Sequence, residues 1–229
     1  MSPDRAPPAS VLVVGASRGI GLELVRQYHA AGSAVVATAR DDQGLARLKA
    51  LGAKPLRLDV TDAASASGLA WQIDGEAFDV AIVNAGVYGP RTSGLEPPTK
   101  ADFDHTMHTN VLGPMRVIPQ VAEALAPGAR LVVLSSRMGS IGARANATGW
   151  VYRASKAALN SVLKDSALAL QGRALCAALH PGWVRTAMGG DDADLPVETS
   201  AAGLRGVIAG LTAAEHGGFF DYQGEPIPW

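Results

Sequence analysis

The chain has 229 residues, of which 48% are hydrophobic and 18% charged, and its formal net charge is −1. This near-neutral balance gives no electrostatic reason to expect nucleic acid or an anionic membrane as a partner, and no apolar run reaches the roughly 18 residues of a membrane span. The single cysteine excludes an internal disulfide framework, which favours a reducing, cytoplasmic setting. We expect the proline-rich residues 1–9 to form a flexible lead and residues 10–229 to form one domain.

Short apolar runs alternate with segments of helical pattern from end to end. Strands are predicted to begin at Val11, Ser33, Lys54, Phe78, Arg130, Ala174 and Gly217. Helices are predicted near 20–31, 42–51, 62–73, 99–126, 152–171 and 198–211. Near-continuous apolar runs are typical of parallel strands that are buried on both faces. The alternation therefore predicts a single Rossmann-like, doubly wound α/β domain with about seven parallel strands and helices on both faces.

A glycine-rich loop, GASRGIG, follows the first predicted strand and leads directly into the first helix. Its glycines permit a tight turn and a close backbone approach to a phosphate, and the helix N-terminus offers unpaired N–H groups to an anion. The order strand, loop, helix and second strand makes a dinucleotide site a stronger interpretation than a structural turn. The predicted cofactor residues in this loop are Gly15, Ser17, Arg18, Gly19, Ile20 and Gly21.

The end of the second strand bears on the choice of cofactor. An acid at this place would favour NAD, whereas a cation accommodates the 2′-phosphate of NADP. Arg40 is the first residue after the apolar run, and Arg18 in the glycine loop can approach the same phosphate. Asp41 and Asp42 follow directly. The pattern predicts NADP(H) in preference to NAD(H), with an ordinary exposed Arg40 as the alternative.

Tyr152 and Lys156 are four residues apart in the predicted helix 152–171, so they share one helix face. This pair is either the polar edge of a core helix or an acid/base pair. A free tyrosine has a pKa near 10, and lowering it by about 3 units requires about 4 kcal/mol of selective phenolate stabilisation. An ammonium group together with the positive ring of an oxidised nicotinamide could supply that energy.

Several ordered motifs carry a resemblance to a known family. They are GASRGIG, LDVTD, NAG, TNVLGP, SSRMGS, YRASK and HPGWVRT. Together they resemble the short-chain dehydrogenase/reductase family, classical type, over essentially the whole chain, and the C-factor-like carbonyl reductases within it. Val14 and Val83 stand where the family pattern usually has Thr and Asn, so we expect a less firmly braced cofactor loop.

The resemblance assigns roles to residues at the strand ends. It implies that Asp59 and Val60 meet the adenine, and that Asn84, Ala85 and Gly86 lie beneath the adenosine ribose. It places the turn after the sixth strand against the nicotinamide, with Pro181, Gly182, Val184 and Thr186 as the contacting residues. It also implies that Asn110 supports a proton-relay water, that Lys156 holds ribose hydroxyls and that Tyr152 is the general acid. No metal site is expected.

Two serines compete for the role of the hydroxyl that binds the substrate oxygen. In the family this serine commonly lies thirteen residues before the tyrosine, where this chain has Gly139. Ser136 lies sixteen residues before Tyr152 and Ser140 lies twelve before it. We predict Ser136, because it is anchored at a strand end whereas the Gly-rich loop after it can absorb extra residues.

These residues predict an NADPH-dependent reductase of aldehydes or ketones to alcohols, reversible as an alcohol dehydrogenase. The alternative is an NADP-binding signalling or sensor protein of C-factor type with little turnover. The expected partner is a small carbonyl or alcohol substrate. A homodimer or homotetramer is expected, with helices 99–126 and 152–171 as its faces.

Overall fold

The computed structural model describes residues 7–229, so residues 1–6 of the predicted flexible lead lie outside the described part. The fold is built on parallel strands. The strands are β1 (Ser10–Val14), β2 (Ala34–Ala39), β3 (Lys54–Arg57), β4 (Phe78–Val83), β5 (Leu125–Leu134), β6 (Ala174–His180) and β7 (Gly218–Asp221). Just before β1, the N–H of Ala9 donates to Oδ2 of Asp79 at 2.7 Å and its carbonyl accepts from the N–H of Ala34 at 2.8 Å, so the chain is held in the sheet before Ser10.

The helices lie between these strands. They are α1 (Gly19–Ala30), α2 (Asp42–Ala50), α3 (Ala63–Ser67), α4 (Leu69–Gln72), α5 (Lys100–Met107), α6 (Gly113–Glu123), α7 (Trp150–Ala169) and α8 (Val197–Gly210). Two pieces of other helical type complete the set, a π-helical turn over His108–Leu112 and a 3₁₀ turn over Arg137–Gly139. Within residues 7–229, no helix is both long and apolar enough to span a membrane.

All seven strands form one parallel sheet in the order β3-β2-β1-β4-β5-β6-β7. The strand order reverses between β1 and β4, so a crevice opens beyond their carboxyl ends, which is where ligands bind in this architecture. The predicted Rossmann-like α/β fold with seven parallel strands is confirmed.

The sheet is buried on both faces because successive side chains of a strand point in opposite directions. Leu12 and Val14 of β1 belong to a core that packs under α6 and α7, whereas Val11 and Val13 belong to a second core under α1, α2 and α8. This arrangement explains why β1 is apolar at each of these positions instead of alternating.

The long helix predicted over 99–126 is confirmed over residues 100–123 as a continuous run of helical residues, but its hydrogen-bonding pattern changes within the run. The structure divides it into α5, the π-helical turn and α6, and β5 already begins at Leu125. Pro114 is one physical reason, because it has no N–H to donate to the carbonyl of Asn110 four residues earlier. The predicted helix 62–73 is likewise divided, into α3 and α4, at Gly68.

Candidate active site

The cofactor loop starts at Gly15, where the close approach of the segment after β4 leaves no room for a side chain. Gly15 has φ +85°, and a Cβ there would lie 2.6 Å from Cα of Ala85. The N–H of Gly15 donates to Oγ1 of Thr38 at 2.9 Å, and its carbonyl accepts from Nδ2 of Asn84. Thr38 therefore supplies a hydroxyl that braces the loop, although Val14 removes the hydroxyl usual at that position. The loop is held from β2 and from the end of β4.

Helix α1 begins at Gly19, within the GASRGIG segment, and its N-cap residue, Arg18, makes no side-chain cap. The first N–H groups of the helix therefore keep their capacity to bind an anion. Thr186, in the segment after β6, lies on the other side of Gly19: a Cβ at Gly19 would be 3.4 Å from its Cγ2. The glycine loop and the segment after β6 thus face each other.

A cavity of 690 Å³ lies between these segments at the carboxyl ends of the strands. Twelve of the predicted cofactor residues line it: Gly15, Ser17, Arg18, Gly19, Ile20, Arg40, Asp59, Val60, Asn84, Ala85, Gly86 and Thr186. Of the predicted residues, Gly21, Asn110, Ser136, Tyr152, Lys156, Pro181, Gly182 and Val184 do not line it. The lining ones are brought together from five separate segments of the chain.

The segment after β6 is held by contacts of its own. The carbonyl of Pro181 accepts from Oγ of Ser200 at 2.6 Å, and Val184 is buried and bridged to Leu195. The hydroxyl of Thr186 accepts from the N–H of Gly189 at 3.2 Å. Pro181 and Val184 therefore fix the course of the segment, while Thr186 is the predicted residue that reaches the cavity.

The cavity suits an anionic dinucleotide. Among the described residues that line it, four are arginines, namely Arg18, Arg40, Arg91 and Arg185, and Asp59 is the one acid. Burial raises the pKa of Asp59, but hydrogen bonds from Thr61 and the charge of Arg40 outweigh burial and hold it below its usual value. A glycine-cradled backbone, an uncapped helix N-terminus and this excess of cations are what a pyrophosphate requires.

The two acids after Arg40 are engaged elsewhere. Asp41 is the N-cap of α2, and its Oδ1 accepts from the N–H of Gly44 at 2.7 Å. Asp42 pairs with Arg57. Arg40 is exposed and lines the cavity. The charge at the end of β2 that faces the cavity is thus a cation, which is the arrangement that accommodates a 2′-phosphate.

Replacing Arg40 with Ser should weaken NADPH binding more than NADH binding, because a charge-assisted hydrogen bond to the 2′-phosphate is lost. We expect the ratio of the two dissociation constants to change by about 10- to 100-fold. Titration of each nucleotide by fluorescence or calorimetry measures it. Lys49→Ser removes an exposed cation of α2 that does not line the cavity and should leave the ratio unchanged. Equal weakening of both nucleotides by Arg40→Ser would refute the assignment.

Beside the cavity lies a buried polar cluster. Tyr152 is 8% exposed, and burial raises its pKa to about 12, while a hydrogen bond with the Ser136 side chain acts in the opposite direction. Nζ of Lys156 lies 5.8 Å from the centre of the Tyr152 ring. The structure therefore brings these three predicted catalytic residues together.

Lys156 is buried, and burial lowers its pKa to about 8. Its Nζ donates to the carbonyl of Leu134 at 2.7 Å, at the end of β5. Beside this amine the pKa of Tyr152 stays above the ordinary tyrosine value, so lowering it needs a further positive charge. At neutral pH Tyr152 is a protonated phenol, which is the form that a proton donor requires.

The two serines have different surroundings. Oγ of Ser136 accepts from the N–H of Met138 at 3.2 Å, and the Ser136 side chain lies close enough to Tyr152 to act on the pKa of its phenol. Ser140 is fully buried and donates to the carbonyl of Pro228, while its Oγ accepts from the N–H of Ala143 at 2.9 Å. Ser136 is thus the serine beside Tyr152, and Ser140 connects the loop to the C-terminal segment.

Asn110 occupies the π-helical turn, a feature common at functional sites. Its side chain binds the backbone of Val87 twice at 2.8 Å, through Oδ1 and Nδ2, and Nδ2 also donates to Oγ of Ser155 at 2.9 Å. The Asn110 side chain therefore joins the end of β4 to α7. Because Pro114 has no N–H, the backbone carbonyl of Asn110 lacks the hydrogen-bond donor that an α-helix would supply four residues later.

Sequence reasoning did not identify Thr38, Tyr88, Arg91 or Arg185, which all line the cavity. Tyr88 stacks on Tyr152, with ring centroids 4.6 Å apart. A signal was available for Tyr88, since it follows the NAG motif at the carboxyl end of β4, where ligands are expected. Thr38 gave none, because a threonine within an apolar strand is ordinary.

Comparisons with known proteins agree with this geometry. The family model described as short chain dehydrogenase matches residues 9–194. A short-chain dehydrogenase/reductase from Burkholderia multivorans, solved with bound NADP, is 33% identical with a TM-score of 0.88, over 97% of this chain and 100% of that chain. The chain belongs to the short-chain dehydrogenase/reductase family.

Two further relatives show which members of the family this chain resembles. C-signal from Myxococcus xanthus is 43% identical over 154 residues, which are 66% of this chain and 92% of that protein. A carbonyl reductase from Pseudomonas aeruginosa, solved in complex with NADP, is 35% identical with a TM-score of 0.83, over 96% of this chain and 99% of that one. The predicted resemblance to the C-factor-like carbonyl reductases is thereby confirmed.

Proposed function

We propose that this protein is an NADPH-dependent reductase that converts aldehydes or ketones to alcohols and catalyses the reverse oxidation. One observation carries the proposal: Tyr152, Ser136 and Lys156 form a buried cluster beside an arginine-lined cavity at the switch point of the sheet. A protein that only stored a nucleotide would have no use for a buried phenol beside a serine hydroxyl and an amine. The NADP-bound relatives support the choice of cofactor.

In this proposal the glycine loop and the N-terminus of α1 hold the pyrophosphate, Arg40 and Arg18 hold the 2′-phosphate, and Thr186 contacts the nicotinamide carboxamide. The bound cofactor supplies the hydride. Ser136 donates a hydrogen bond to the substrate oxygen and polarises the carbonyl. Tyr152 gives its proton to that oxygen as negative charge develops there.

Lys156 and Asn110 support the proton donor. Lys156 binds cofactor ribose hydroxyls, and its ammonium favours the phenolate that Tyr152 becomes. Asn110 supports the relay that returns a proton to the tyrosine, with its backbone carbonyl as the water acceptor. In the oxidation direction Tyr152 acts as the base, which requires the phenolate.

The test is NADPH oxidation by the full chain with a panel of short aldehydes, linear ketones and aryl ketones, followed by absorbance. We expect turnover with at least one carbonyl compound and formation of the corresponding alcohol, identified by chromatography. NADH in place of NADPH is the matched control and should support a lower kcat/KM. Tight NADPH binding without turnover on any member of the panel would contradict the proposal.

A second candidate is an NADP-binding signalling or sensor protein, favoured by the 43% identity to C-signal. Binding without turnover in the same panel is the result that this candidate predicts.

We also propose that the protein self-associates in solution and that it is cytoplasmic. In support of self-association, the helices expected as its faces expose Phe103, Met115 and Leu168.

A further inference from the structure

Tyr88 covers one face of Tyr152. The two rings are stacked, with centroids 4.6 Å apart and planes inclined by 21°. Tyr88 lines the cavity whereas Tyr152 does not, and Tyr152 is 8% exposed although it lies in the first turn of α7. The Tyr88 ring therefore separates the cavity from this face of Tyr152. At that spacing a third ring does not fit between them.

Tyr88 is also held on its other side. The guanidinium carbon of Arg91 lies 5.1 Å from the centre of the Tyr88 ring. Nη2 of Arg91 donates to the carbonyl of Met188 at 3.2 Å, so the segment after β4 is connected across the cavity to the segment after β6. Displacing the Tyr88 ring thus costs a stacking contact and a cation–π contact.

The N-terminus of α7 is shaped around Tyr88. Gly149 has φ +65°, a left-handed conformation that favours glycine, and a Cβ there would lie 2.6 Å from the hydroxyl oxygen of Tyr88. The N–H of Gly149 donates to the carbonyl of Thr92 at 2.9 Å. On the other side of Tyr88, the preceding residue is held by Asn110. Hydrogen bonds to the chain before and after Tyr88, at Val87 and at Thr92, therefore fix the position of the Tyr88 ring.

We infer that Tyr88 is a specificity-determining residue: its ring occupies the space beside Tyr152 into which a bulky substituent on the substrate carbonyl would extend. The inference rests on the proposed function. The site therefore takes aldehydes and ketones with slim, unbranched substituents in preference to carbonyl compounds with an aryl or branched group. Arg91 acts through Tyr88 as a positioning residue, because it touches the ring and the opposite segment.

The kinetic test compares butanal with acetophenone in the full chain with NADPH. For Tyr88→Ala, the ratio of kcat/KM for acetophenone to that for butanal should rise by about 10- to 100-fold, the range of size discrimination by an apolar wall. Tyr88→Phe keeps the ring and should leave the ratio within about threefold of wild type. Arg91→Met keeps the ring but loosens it, and should raise the ratio by about 2- to 5-fold. A Tyr88→Ala variant that changes kcat/KM for both substrates by the same factor would show a merely structural role and overturn the inference.

A second measurement does not depend on turnover. Tetranitromethane nitrates accessible tyrosines, and peptide mapping by mass spectrometry reports the rate at Tyr152. Tyr152 should react slowly in wild type and several-fold faster in Tyr88→Ala, while Trp71→Ala, which removes an exposed aromatic ring that does not line the cavity, should match wild type. Equal rates in wild type and Tyr88→Ala would overturn the covering of Tyr152. If the nitration contrast appears but no carbonyl compound is reduced, the proposed reductase fails while the covering of Tyr152 by Tyr88 stands.

Discussion

Tyr152→Phe should lower kcat for carbonyl reduction by about 10²- to 10⁴-fold, the range of a lost general acid, with little change in the affinity for NADPH. Phenylalanine preserves the ring that stacks on Tyr88 and removes only the hydroxyl that Ser136 contacts. Steady-state kinetics and a nucleotide titration on the same preparation separate the two quantities. A variant that keeps turnover within about threefold of wild type would remove Tyr152 from the mechanism.

Tyr28→Phe is the matched control for this change. Tyr28 is also a buried tyrosine, 2% exposed, and burial raises its pKa well above the ordinary tyrosine value. It packs against Arg205, away from the cavity. Loss of a buried phenolic hydroxyl at this site should leave kcat unchanged, so a general effect of the substitution on folding is distinguished from loss of the proton donor.

The acid/base role of Tyr152 also predicts how the two reaction rates depend on pH. The direction follows from the effect of burial on the pKa of the phenol. Because the pKa of Tyr152 is raised to about 12, the phenol stays protonated at neutral pH and reduction has its proton donor in place. Alcohol oxidation needs the phenolate, whose fraction grows as pH rises towards that pKa. The oxidation rate should therefore rise with pH up to about 8, where Lys156 begins to lose the ammonium that favours the phenolate, while the reduction rate does not rise with it. Opposite trends would contradict the acid/base role.

Ser136→Ala should lower kcat by about 10²- to 10³-fold, as expected when one donor to a developing oxyanion is removed. Ser136→Thr keeps a hydroxyl and should recover part of the rate. Kinetics with one carbonyl substrate compare the variants. Circular dichroism reports whether loss of the Ser136 side chain, which caps the 3₁₀ turn, alters the fold.

Ser140→Ala is the paired experiment, and its expected effect is on stability. It removes a buried hydroxyl that joins Pro228 and Ala143, so the free energy of unfolding should fall by about 1–3 kcal/mol, while kcat changes far less than in Ser136→Ala. Urea unfolding and kinetics on the same protein measure both effects. If Ser140→Ala abolished turnover while Ser136→Ala retained it, the catalytic serine would have to be reassigned.

These two serines illustrate what sequence can and cannot decide here. Both lie within a few residues of the end of β5 and both precede Tyr152 by an acceptable distance. What separates them is a bond between Ser140 and Pro228, 88 residues apart. No local pattern encodes a contact over that separation, so the direction of each hydroxyl follows only from the folded chain.

The sheet, by contrast, follows from local pattern. Strand β6 is observed over the predicted residues Ala174–His180, because a central strand with both faces buried has to be apolar along nearly its whole length. The Tyr152–Lys156 spacing likewise places both side chains on one face of α7, since the helical period fixes that relation. The interruption within 99–126 was less visible, although Pro114 marks the place.

The sequence by itself thus determined the doubly wound fold, the glycine loop and the helical Tyr–Lys pair, because burial on two faces, positive φ and helical period are all imposed residue by residue. Only the tertiary structure decided which charges face the cavity, with Asp41 turned into the cap of α2 and Arg40 left at the site. It also placed Ser136, the serine predicted from its strand-end position, beside Tyr152, and it laid Tyr88 over the Tyr152 ring. These outcomes depend on side-chain direction, which is set by packing between segments that are distant along the chain.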